Sequence, residues 1–384
     1  MNALKIFIDI GHPAYYLFFR NVIKILLEEG HKVYVSVRDK DVTLQFLVND
    51  LPGPAAGESM NEPVLFYRGK GGKGWITKAF YLLYTVARVT LINRKNGTNV
   101  LVSFSSPYAA MAGWLLRKPV LTFEDTEHSM LLHRINMKFS LKMITGTSYC
   151  GSFGDKQIRI PFYKERCYLG PELFRPDPSI PAQYGYSVDK PYAILRLVGN
   201  QTIHEKKRKG LTEYYLQEII RRLSPAVRIL ISSEKQLPPS LQQYEIAVAG
   251  QAGKTKAAIM LKTPNHLHHF LAYASLLNGE SSTMAAEAAV LGVPAIYIDN
   301  HPRGYCQELE ERFGLMFNFS ESEKSREQAL LTAVKLIEDK RTRKTWQEKR
   351  EVMLKAKLGG SVWIVDEIKR YCQNQSVHAS QMHN

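Results

Sequence analysis

The sequence predicts two α/β domains, each built on a parallel β-sheet that is covered by helices. The chain has 384 residues, and a typical domain takes about 150. Short apolar segments alternate with longer amphipathic segments, which is the pattern of strand–helix–strand units. This alternation stops at the proline-rich segment GPELFRPDPSIP, residues 170–181, and then restarts. The segment is therefore expected to join two similar halves.

The first half begins with a buried strand from Leu4 to Ile10, which ends at Gly11-His12-Pro13. A helix is expected from Tyr16 to Glu29, because its apolar residues recur with helical spacing and Gly30 can form the C-terminal cap. Residues 31–37 alternate as a second strand, and residues 41–50 have a helical pattern. Further strands are predicted at 100–102 and 120–123, with an alanine-rich helix at 108–116 between them.

The second half repeats this alternation. Strands are predicted at 192–197, 227–232, 275–278 and 295–299, and helices at 211–223, 266–274, 282–291, 327–339 and 361–371. The last residues are polar and are expected to be disordered. The predicted organisation is an N-terminal domain at 1–170, a linker at 171–190, a C-terminal domain at 191–372 and a tail at 373–384.

Composition excludes several classes of protein. Apolar residues make up 45% of the chain and charged residues 23%, which rules out a wholly disordered, collagenous or coiled-coil protein. The four cysteines are widely spaced without a CxxC pair, so neither a disulfide framework nor a cysteine zinc site is expected. The N-terminus does not resemble a signal peptide, and the longest apolar stretch, 75–92, contains Lys78 and Arg88. A cytoplasmic location is therefore expected.

The charge of the chain suggests a polyanionic partner. Lysine and arginine exceed aspartate and glutamate by 51 to 36, giving a net charge of +15. Such a balance favours nucleic acid, an anionic membrane surface or phosphorylated substrates. No helix-turn-helix, RNA-recognition or zinc motif is found in the sequence, so nucleic acid is not the expected partner.

The stretch between Glu62 and Glu124 contains no acidic residue. The segment from Trp75 to Lys95 within it is predicted to form a helix with one basic face, made of Lys78, Tyr81, Thr85, Arg88 and Lys95. A basic face flanked by aromatic residues suits the surface of an anionic bilayer, so peripheral attachment to the inner face of the cell membrane is one expectation. The alternative is an ordinary amphipathic helix packed on the sheet.

Five ordered pieces of the chain carry a family resemblance. They are FIDIGHPAYYLFFRNVIKIL, FEDTEHS, GPELFRPDPSI, YAILRL and STMAAEAAVLGVPAI, which together span nearly the whole chain. The chain resembles domain-of-unknown-function family 354, whose members are similar to UDP-N-acetylglucosamine 2-epimerases and MurG-type transferases. The resemblance implies a GT-B type fold: two facing Rossmann-like domains, with a C-terminal helix that returns to the first domain.

The segment from Leu276 to Ile298 resembles the donor-binding segment of GT-B glycosyltransferases. A strand leads into Gly279-Glu280-Ser281-Ser282-Thr283, and a helix follows. Hydroxyls and free backbone N–H groups at a helix N-terminus favour a bound anion. Glu287 lies about one turn into the helix, and the resemblance implies that a carboxylate here holds the ribose of the nucleotide. The predicted nucleotide-sugar site is therefore Arg196, Glu280, Ser281, Ser282, Thr283 and Glu287.

One turn of this segment departs from the resembled pattern. Related proteins have a glycine-rich turn where this chain has Glu280-Ser281-Ser282, and the Glu280 carboxylate would repel a diphosphate at short range. Cations are available to compensate, because Arg196 matches an arginine of the family and residues 204–209 form a basic run. The alternative interpretation of that run is a solvated surface loop.

In the first half, polar residues follow three strands, where open α/β sheets bind ligands. His12 follows the first strand, and a histidine can act as a general base near neutral pH. Asp125 and Glu127 could orient His12 or remove the proton themselves. The predicted catalytic residues are thus His12, Asp125 and Glu127, and the predicted acceptor-side residues are Asp9, Ser105 and His128.

The function predicted from these residues is metal-independent transfer of a sugar from a nucleotide-sugar donor to an acceptor. The acceptor would be a saccharide or a membrane-bound molecule of surface-polysaccharide or glycolipid synthesis. No cofactor is expected, and the histidine-rich stretch 266–269 is interpreted as an amphipathic helix and not as a metal site. Two alternatives stay open: a non-hydrolysing nucleotide-sugar epimerase, and a non-enzymatic basic protein that binds nucleic acid.

Overall fold

The computed structural model describes residues 3–38, 62–68, 74–186, 190–198, 210–234, 237–241, 245–248, 258–260, 266–301 and 303–381. The side chains of residues 75, 245–248, 258–260 and 374–381 lie outside this description. The chain divides into two units. The first contains residues Met1–Tyr168 together with Gly359–Asn384, and the second contains Leu169–Leu358.

The first unit is built on a parallel sheet with seven strands among the described residues, in the order β3-β2-β1-β4-β5-β6-β7. The central strands are buried on both faces, because helices cover the sheet on either side. The strands are β1 (Lys5–Ile10), β2 (Lys32–Val37), β3 (Val64–Tyr67), β4 (Val100–Phe104), β5 (Val120–Glu124), β6 (Lys142–Gly146) and β7 (Gln157–Ile160).

The helices of the first unit connect consecutive strands. α1 (Pro13–Glu28) begins three residues before the predicted start at Tyr16, because His12 caps it and Pro13 occupies its first turn. α2 (Trp75–Asn96) ends at Gly97, which adopts the left-handed conformation of a helix cap. α3 (Pro107–Leu115) is capped by Ser106, and α4 (Met130–Phe139) leads into β6. A short helix, α5 (Arg166–Leu169), follows β7 and a 3₁₀ turn spans Gly154–Lys156.

The predicted return of the C-terminal helix to the first domain is confirmed. The last helix, which we number α13, spans Gly360–Gln381 and packs against α1, with Lys369 paired to Glu29 at 3.0 Å. Its first turn is fastened by a hydrogen bond from Ser361 to the carbonyl of Cys167. Gly360 must be glycine, because a Cβ there would lie 2.7 Å from the Cys167 sulfur.

Two sequence boundaries therefore differ from the structure. The second unit ends at Leu358 and not at residue 372, since the last helix belongs to the first unit. That helix continues to Gln381, across most of the segment expected to be a disordered tail. Residues 373–381 contain neither proline nor glycine, so no residue of this segment interrupts a helix.

The second unit repeats the architecture. Its parallel sheet has seven strands among the described residues, in the order β11-β10-β9-β8-β12-β13-β14. The strands are β8 (Tyr192–Leu197), β9 (Arg228–Ser233), β10 (Glu245–Val248), β11 (Ala258–Met260), β12 (Leu276–Gly279), β13 (Ala295–Ile298) and β14 (Met316–Phe319).

The helices of the second unit pack on this sheet and bury a core of aliphatic side chains from β8, β9, β13 and the helices beside them. They are α6 (Ser179–Ala182), α7 (Glu213–Leu223), α8 (His266–Tyr273), α9 (Ser282–Leu291), α10 (Gly304–Glu311), α11 (Glu323–Glu338) and α12 (Thr342–Ala356), with a 3₁₀ turn at Pro239–Leu241. The predicted architecture, two α/β domains each built on a parallel sheet, is confirmed. The predicted helix at 41–50 and the basic run 204–209 lie outside the described residues.

Candidate functional site

The carboxyl edge of the second sheet brings together the residues predicted to bind a nucleotide sugar. β12 pairs with β8 in parallel, with Gly279 opposite Arg196. A Cβ at Gly279 would lie 2.3 Å from the carbonyl oxygen of Arg196, so only glycine allows the two strand ends to approach this closely. The turn from Gly279 to α9 is thereby fixed against the end of β8.

The N-terminus of α9 is arranged to receive an anion. Ser281 is the N-cap, and its hydroxyl accepts a hydrogen bond from the backbone N–H of Met284 at 3.2 Å. Ser282 and Thr283 form the first turn and are half-buried, and the first turn contains no acidic residue. The backbone N–H groups of such a turn and the helix dipole both favour a negative group at this point.

Glu287 lies one turn further along α9 and is buried. Its Oε1 lies 3.1 Å from Nε2 of His268, a buried residue of the neighbouring helix α8. The His268 ring packs edge-on against Phe174, with 6.2 Å between ring centroids. Because Phe174 belongs to the proline-rich segment, that segment contributes to the surroundings of Glu287 and does not serve only to join the two halves.

Glu280 has a different environment from the one its sequence position suggested. Its carboxylate is buried and accepts hydrogen bonds from the backbone N–H of Val198 at 2.9 Å and of Leu211 at 2.5 Å. Val198 directly follows β8 and Leu211 lies just before α7, so Glu280 holds the end of β8 and the start of α7 at the start of α9. Two backbone donors stabilise the charge of the carboxylate, which is oriented toward them.

Arg196 is likewise engaged within its own unit. Its guanidinium donates to the Ser232 hydroxyl at 2.9 Å and forms an ion pair with Glu234, both at the end of the adjacent strand β9. A nucleotide diphosphate that used Arg196 would have to compete with Glu234 for it. Sequence analysis did not identify Glu234, since a single acidic residue after a strand is a weak signal.

A further polar strand end, which sequence analysis also missed, follows β13. Asp299 is buried and accepts a hydrogen bond from the Tyr297 hydroxyl at 2.7 Å. His301 contacts it through both its backbone N–H and its Nδ1, each at 3.1 Å from Oδ1. β13 pairs with β12, so these side chains occupy the same edge of the sheet as the α9 N-terminus. The rule that ligands bind at the carboxyl ends of strands would have found them.

In the first unit, Asp9 is fully buried at the end of β1. Its Oδ2 accepts a hydrogen bond from Ser106, the cap of α3, and lies 3.3 Å from Nη1 of Arg68. Arg68 is also buried, and its Nη2 donates to the carbonyl of Ile10 at 3.0 Å. The predicted acceptor-side residue Asp9 therefore holds the ends of β1, β3 and α3 together.

His12 is the N-cap of α1, and its Nδ1 accepts a hydrogen bond from the backbone N–H of Ala14 at 3.2 Å. A neutral imidazole that accepts at Nδ1 has its proton on Nε2. In this conformation His12 therefore presents a hydrogen-bond donor at Nε2, whereas a general base must present a lone pair. Its ring also packs 5.6 Å from that of Tyr15.

The end of β5 holds another buried group of ionisable side chains in the first unit. Glu124 is buried, and its Oε2 accepts a hydrogen bond from the Ser105 hydroxyl at 2.6 Å. Its Oε1 accepts from the backbone N–H groups of Asp125 at 3.1 Å and Thr126 at 3.0 Å. Ser105 has φ 53°, a left-handed conformation that is strained for a residue with a side chain. The structure thus adds Glu124, which had not been singled out from the sequence cluster Glu124–His128.

His133 of α4 completes this group, with Nε2 3.5 Å from Glu124 Oε2. Burial alone would lower the pKa of His133, but the neighbouring carboxylate of Glu124 outweighs this and raises the pKa above 6.5. The pKa of Tyr149 is also raised, first by burial and then by the charges of Glu124, Glu127 and Asp125. The cluster therefore contains an imidazole whose charged form is favoured by the neighbouring carboxylate.

The other predicted residues near β5 have distinct surroundings. Asp125 forms an ion pair with the buried Lys164, with 2.5 Å between Oδ2 and Nζ. It also accepts a hydrogen bond from the Thr126 hydroxyl at 3.1 Å. Glu127 and His128 are half-buried in the segment that leads into α4.

The three histidines of α8 contact different partners. His268 faces Glu287, Nδ1 of His266 lies 3.0 Å from the Tyr184 hydroxyl, and Nδ1 of His269 accepts a hydrogen bond from the backbone N–H of Asp177 at 2.9 Å. Within the described part of the chain, no three histidine, cysteine, aspartate or glutamate residues are grouped so that they could hold a metal ion. Among the same residues, no helix is both long enough and apolar enough to cross a lipid bilayer.

Comparison with known proteins identifies the fold. No family model matches the chain, and no curated protein matches it. Solved structures do match along nearly the whole chain, at 11% to 13% identity. They include UDP-N-acetylglucosamine 2-epimerases and glycosyltransferases, as expected from the resemblance in sequence.

Three of these structures illustrate the range. The UDP-GlcNAc 2-epimerase of Neisseria meningitidis bound to UDP-GlcNAc has a TM-score of 0.62 and 11% identity, over 95% of this chain and 99% of that one. The MnaA–UDP structure from S. aureus has a TM-score of 0.63 and 11% identity, over 96% and 97%. The spinosyn forosaminyltransferase SpnP has a TM-score of 0.60 and 12% identity, over 97% and 100%. These likenesses show a shared fold, and two of the three structures contain UDP-GlcNAc or UDP.

Proposed function

We propose that the protein is a metal-independent glycosyltransferase that moves a sugar from a nucleotide-sugar donor to an acceptor hydroxyl. The observation on which the proposal mainly rests is the arrangement at the start of α9. A Ser281-capped helix N-terminus lies at the carboxyl edge of the second sheet, with the buried carboxylate of Glu287 one turn inside it. Two structures with this fold contain UDP and UDP-GlcNAc, which supports the same class of donor here.

The donor is proposed to bind at the second unit. Its phosphates would accept hydrogen bonds from the α9 N-terminus and from the hydroxyls of Ser282 and Thr283. Glu287 would accept hydrogen bonds from ribose hydroxyls, since a carboxylate is an acceptor with two oxygens. Arg196 and His301 would donate hydrogen bonds to the diphosphate. To do so, Arg196 would give up part of its contact with Glu234, and His301 part of its contact with Asp299.

The chemical step is proposed to use the carboxylates at the end of β5. A base removes the proton of the acceptor hydroxyl while the hydroxyl oxygen forms a bond to the anomeric carbon of the sugar. The bond from that carbon to the diphosphate oxygen breaks, and the nucleoside diphosphate leaves with the electron pair. Glu124 is the leading candidate for the base, because Asp125 is paired with Lys164 and the Nδ1 of His12 is used as a helix cap. His12 and Glu127 remain candidates for positioning the acceptor.

The acceptor is proposed to belong to surface-polysaccharide or glycolipid synthesis, with the protein attached to the inner face of the cell membrane. The excess of basic residues supports an anionic environment of this kind. A saccharide acceptor would need only the first unit, whereas a lipid-linked acceptor would also need contact with the bilayer. No cofactor and no nucleic acid enter this proposal.

A second candidate function is epimerisation of a nucleotide sugar. The paired carboxylate and imidazole of Glu124 and His133 favour it, since an epimerase must remove a proton from the sugar and return one. The two functions are separated by incubating the purified protein with a nucleotide sugar alone and analysing the products. An epimerase changes the sugar without an acceptor, whereas a transferase leaves it intact until an acceptor is added.

Binding of the donor is tested first, without any assumption about the reaction. A panel of nucleoside diphosphates and nucleotide sugars is added to the protein, and thermal unfolding is followed. A ligand present at about 100 times its dissociation constant adds about 2.7 kcal/mol to the free energy of unfolding. A panel in which no nucleotide raises the unfolding temperature would refute the proposal.

A further inference from the structure

The outer surface of the first unit exposes large apolar side chains on three adjacent helices. We call this surface the apolar face. Each of its members is at least 42% exposed. The members are Ile76, Phe80, Leu83, Tyr84 and Leu91 of α2, Trp114 and Leu115 of α3, and Met130, Leu131 and Met137 of α4.

The three helices form one continuous layer. α3 packs between α2 and α4. Tyr81 of α2 meets Tyr108 of α3 edge-on, with 5.9 Å between ring centroids, and Trp114 of α3 meets Phe139 of α4 at 5.3 Å. The exposed side chains are therefore neighbours on a shared surface and not scattered singly, which separates them from the isolated apolar residues common on proteins.

Helical spacing shows that the core does not require these residues. The α2 members of the apolar face follow each other at the intervals of one helical stripe. The opposite side of α2 supplies the core, where Thr85, Val86 and Val89 are buried. The expectation that α2 turns a basic face outward is wrong in this respect, since Thr85 is buried and the outward stripe is apolar. The tryptophan expected to anchor it, Trp75, has a side chain outside the described residues.

The helices that form the apolar face carry basic but no acidic residues. The guanidinium of Arg88 lies over the Tyr84 ring at 5.8 Å, at the margin of the stripe. Exposed cations on these helices and directly after α3 are Lys78, Arg94, Lys95, Arg117, Arg134 and Lys138.

We infer that the apolar face docks on an anionic lipid bilayer, with its side chains inserted among the acyl chains and the cations at the headgroups. A bilayer interface offers both an apolar interior and a layer of negative charge, and the two features of this surface match them. A second copy of the chain fits less well, because it would place cations opposite cations. This inference identifies the surface for the membrane location proposed above, but it does not depend on the transfer reaction.

Vesicle sedimentation tests the inference with the full chain and no substrate. We expect the protein to sediment with vesicles of phosphatidylcholine and phosphatidylglycerol, and less with pure phosphatidylcholine. High salt should reduce binding, because charge attraction is screened over roughly 8 Å at physiological ionic strength. The double variant Phe80→Glu/Leu83→Glu should lower the partition coefficient by at least about tenfold, since it removes two inserted side chains and adds repulsion.

Matched controls separate docking from folding. Tyr214 of α7, in the second unit, is 72% exposed, close to the 73% of Phe80. The variant Tyr214→Glu should bind vesicles as the unaltered protein does, and both variants should keep the same thermal unfolding temperature. Wild-type protein that stays in the supernatant with every vesicle would overturn the inference. So would a Phe80→Glu/Leu83→Glu variant that sediments normally, or a dimer in solution that disperses on this substitution without any vesicle binding.

A failure to bind vesicles would not count against the proposed transfer reaction. Nucleotide binding is measured on the same preparations, and its site lies in the second unit. Retained nucleotide binding with absent vesicle binding would contradict the docking alone, whereas the opposite result would contradict the proposed donor site alone.

Discussion

The Glu287 carboxylate lies 3.1 Å from Nε2 of His268, and both side chains are buried between α8 and α9. A carboxylate in this position has limited freedom to rotate, because His268 holds one of its oxygens. His268 is therefore a positioning residue for the group that is proposed to bind ribose. The pair is local to the second unit and does not involve the residues proposed for the chemical step.

Substitution at this pair should weaken binding of ribonucleotides. Glu287→Gln removes a charged acceptor, and a hydrogen bond to a charged group contributes about 1.5–3 kcal/mol, or roughly 10- to 150-fold in affinity. His268→Asn should cause a smaller loss through misplacement of Glu287. Calorimetry with a nucleoside diphosphate and its 2′-deoxy analogue distinguishes a lost contact to the ribose from a general loss of nucleotide binding. The difference in affinity between the two ligands should shrink in both variants, and an unchanged difference would count against the assignment.

Glu124→Gln should lower turnover about 10²- to 10⁴-fold, the usual contribution of a general base. Nucleotide affinity should stay within about threefold, because Glu124 belongs to the first unit and the donor is proposed to bind the second. Glutamine keeps the size of the side chain, but its single carbonyl oxygen can accept either from Ser105 or from the backbone N–H groups of Asp125 and Thr126, so thermal unfolding of the variant is measured as a control. Steady-state kinetics with calorimetry on the same variant provides both quantities. A variant that turns over normally would transfer the role to Asp125 or Glu127.

Acid should destabilise the second unit through His269. Its Nδ1 accepts a hydrogen bond from the backbone N–H of Asp177, which the neutral ring alone can do. Burial, followed by the charges of His268 and His266, lowers the pKa of His269 to about 4. The unfolded chain therefore binds a proton at higher pH than the folded chain, so stability is lost as pH falls from about 6.5 towards 4. In urea unfolding, His269→Asn should flatten this part of the pH profile, and an unaltered slope would contradict the assignment.

Gly279→Ala should destabilise the protein, because its Cβ would lie 2.3 Å from the backbone oxygen of Arg196. A backbone atom cannot move aside as a flexible side chain can, so β8 and β12 must separate at their ends. We expect a loss of about 1–3 kcal/mol or more, measured by chemical denaturation. Gly11→Ala is the matched control, since the nearest atom to its Cβ would be Nη2 of Arg68 at an ordinary 3.7 Å. Equal stability of the two variants would contradict this account.

The sequence predicted the parallel sheets because their central strands are continuous apolar segments ended by turn residues. The helix at Ser282–Leu291 was placed with its observed bounds, since a serine cap and Gly292 mark both ends. Strands β3, β6, β7, β10, β11 and β14 were missed, because they lie toward the sheet edges and are short.

The sequence predicted which strand ends carry candidate site residues, but it did not predict which side chains contact each other. The carboxyl-edge rule identified residues near His12, Ser105 and Thr283, because it depends only on where strands end. A pair contact such as Arg196 with Glu234 joins residues distant in sequence, and no local pattern encodes it. The hydrogen bonds of Glu280 were also not predictable, because its backbone partners Val198 and Leu211 come close to it only in the folded chain.

His12 caps α1 and is also a candidate for contact with the acceptor. Two substitutions separate these two roles. His12→Ala removes both the cap of α1 and the Nε2 donor, so it should lower stability by about 1 kcal/mol as well as turnover. His12→Asn keeps a side chain that caps helices well but removes Nε2. If Nε2 contacts the acceptor, His12→Asn should restore stability but not turnover, while nucleotide affinity stays unchanged. If His12→Asn restores both, then His12 only caps α1, and the carboxylates at the end of β5 act without it. Denaturation and steady-state kinetics on the two variants decide between these outcomes.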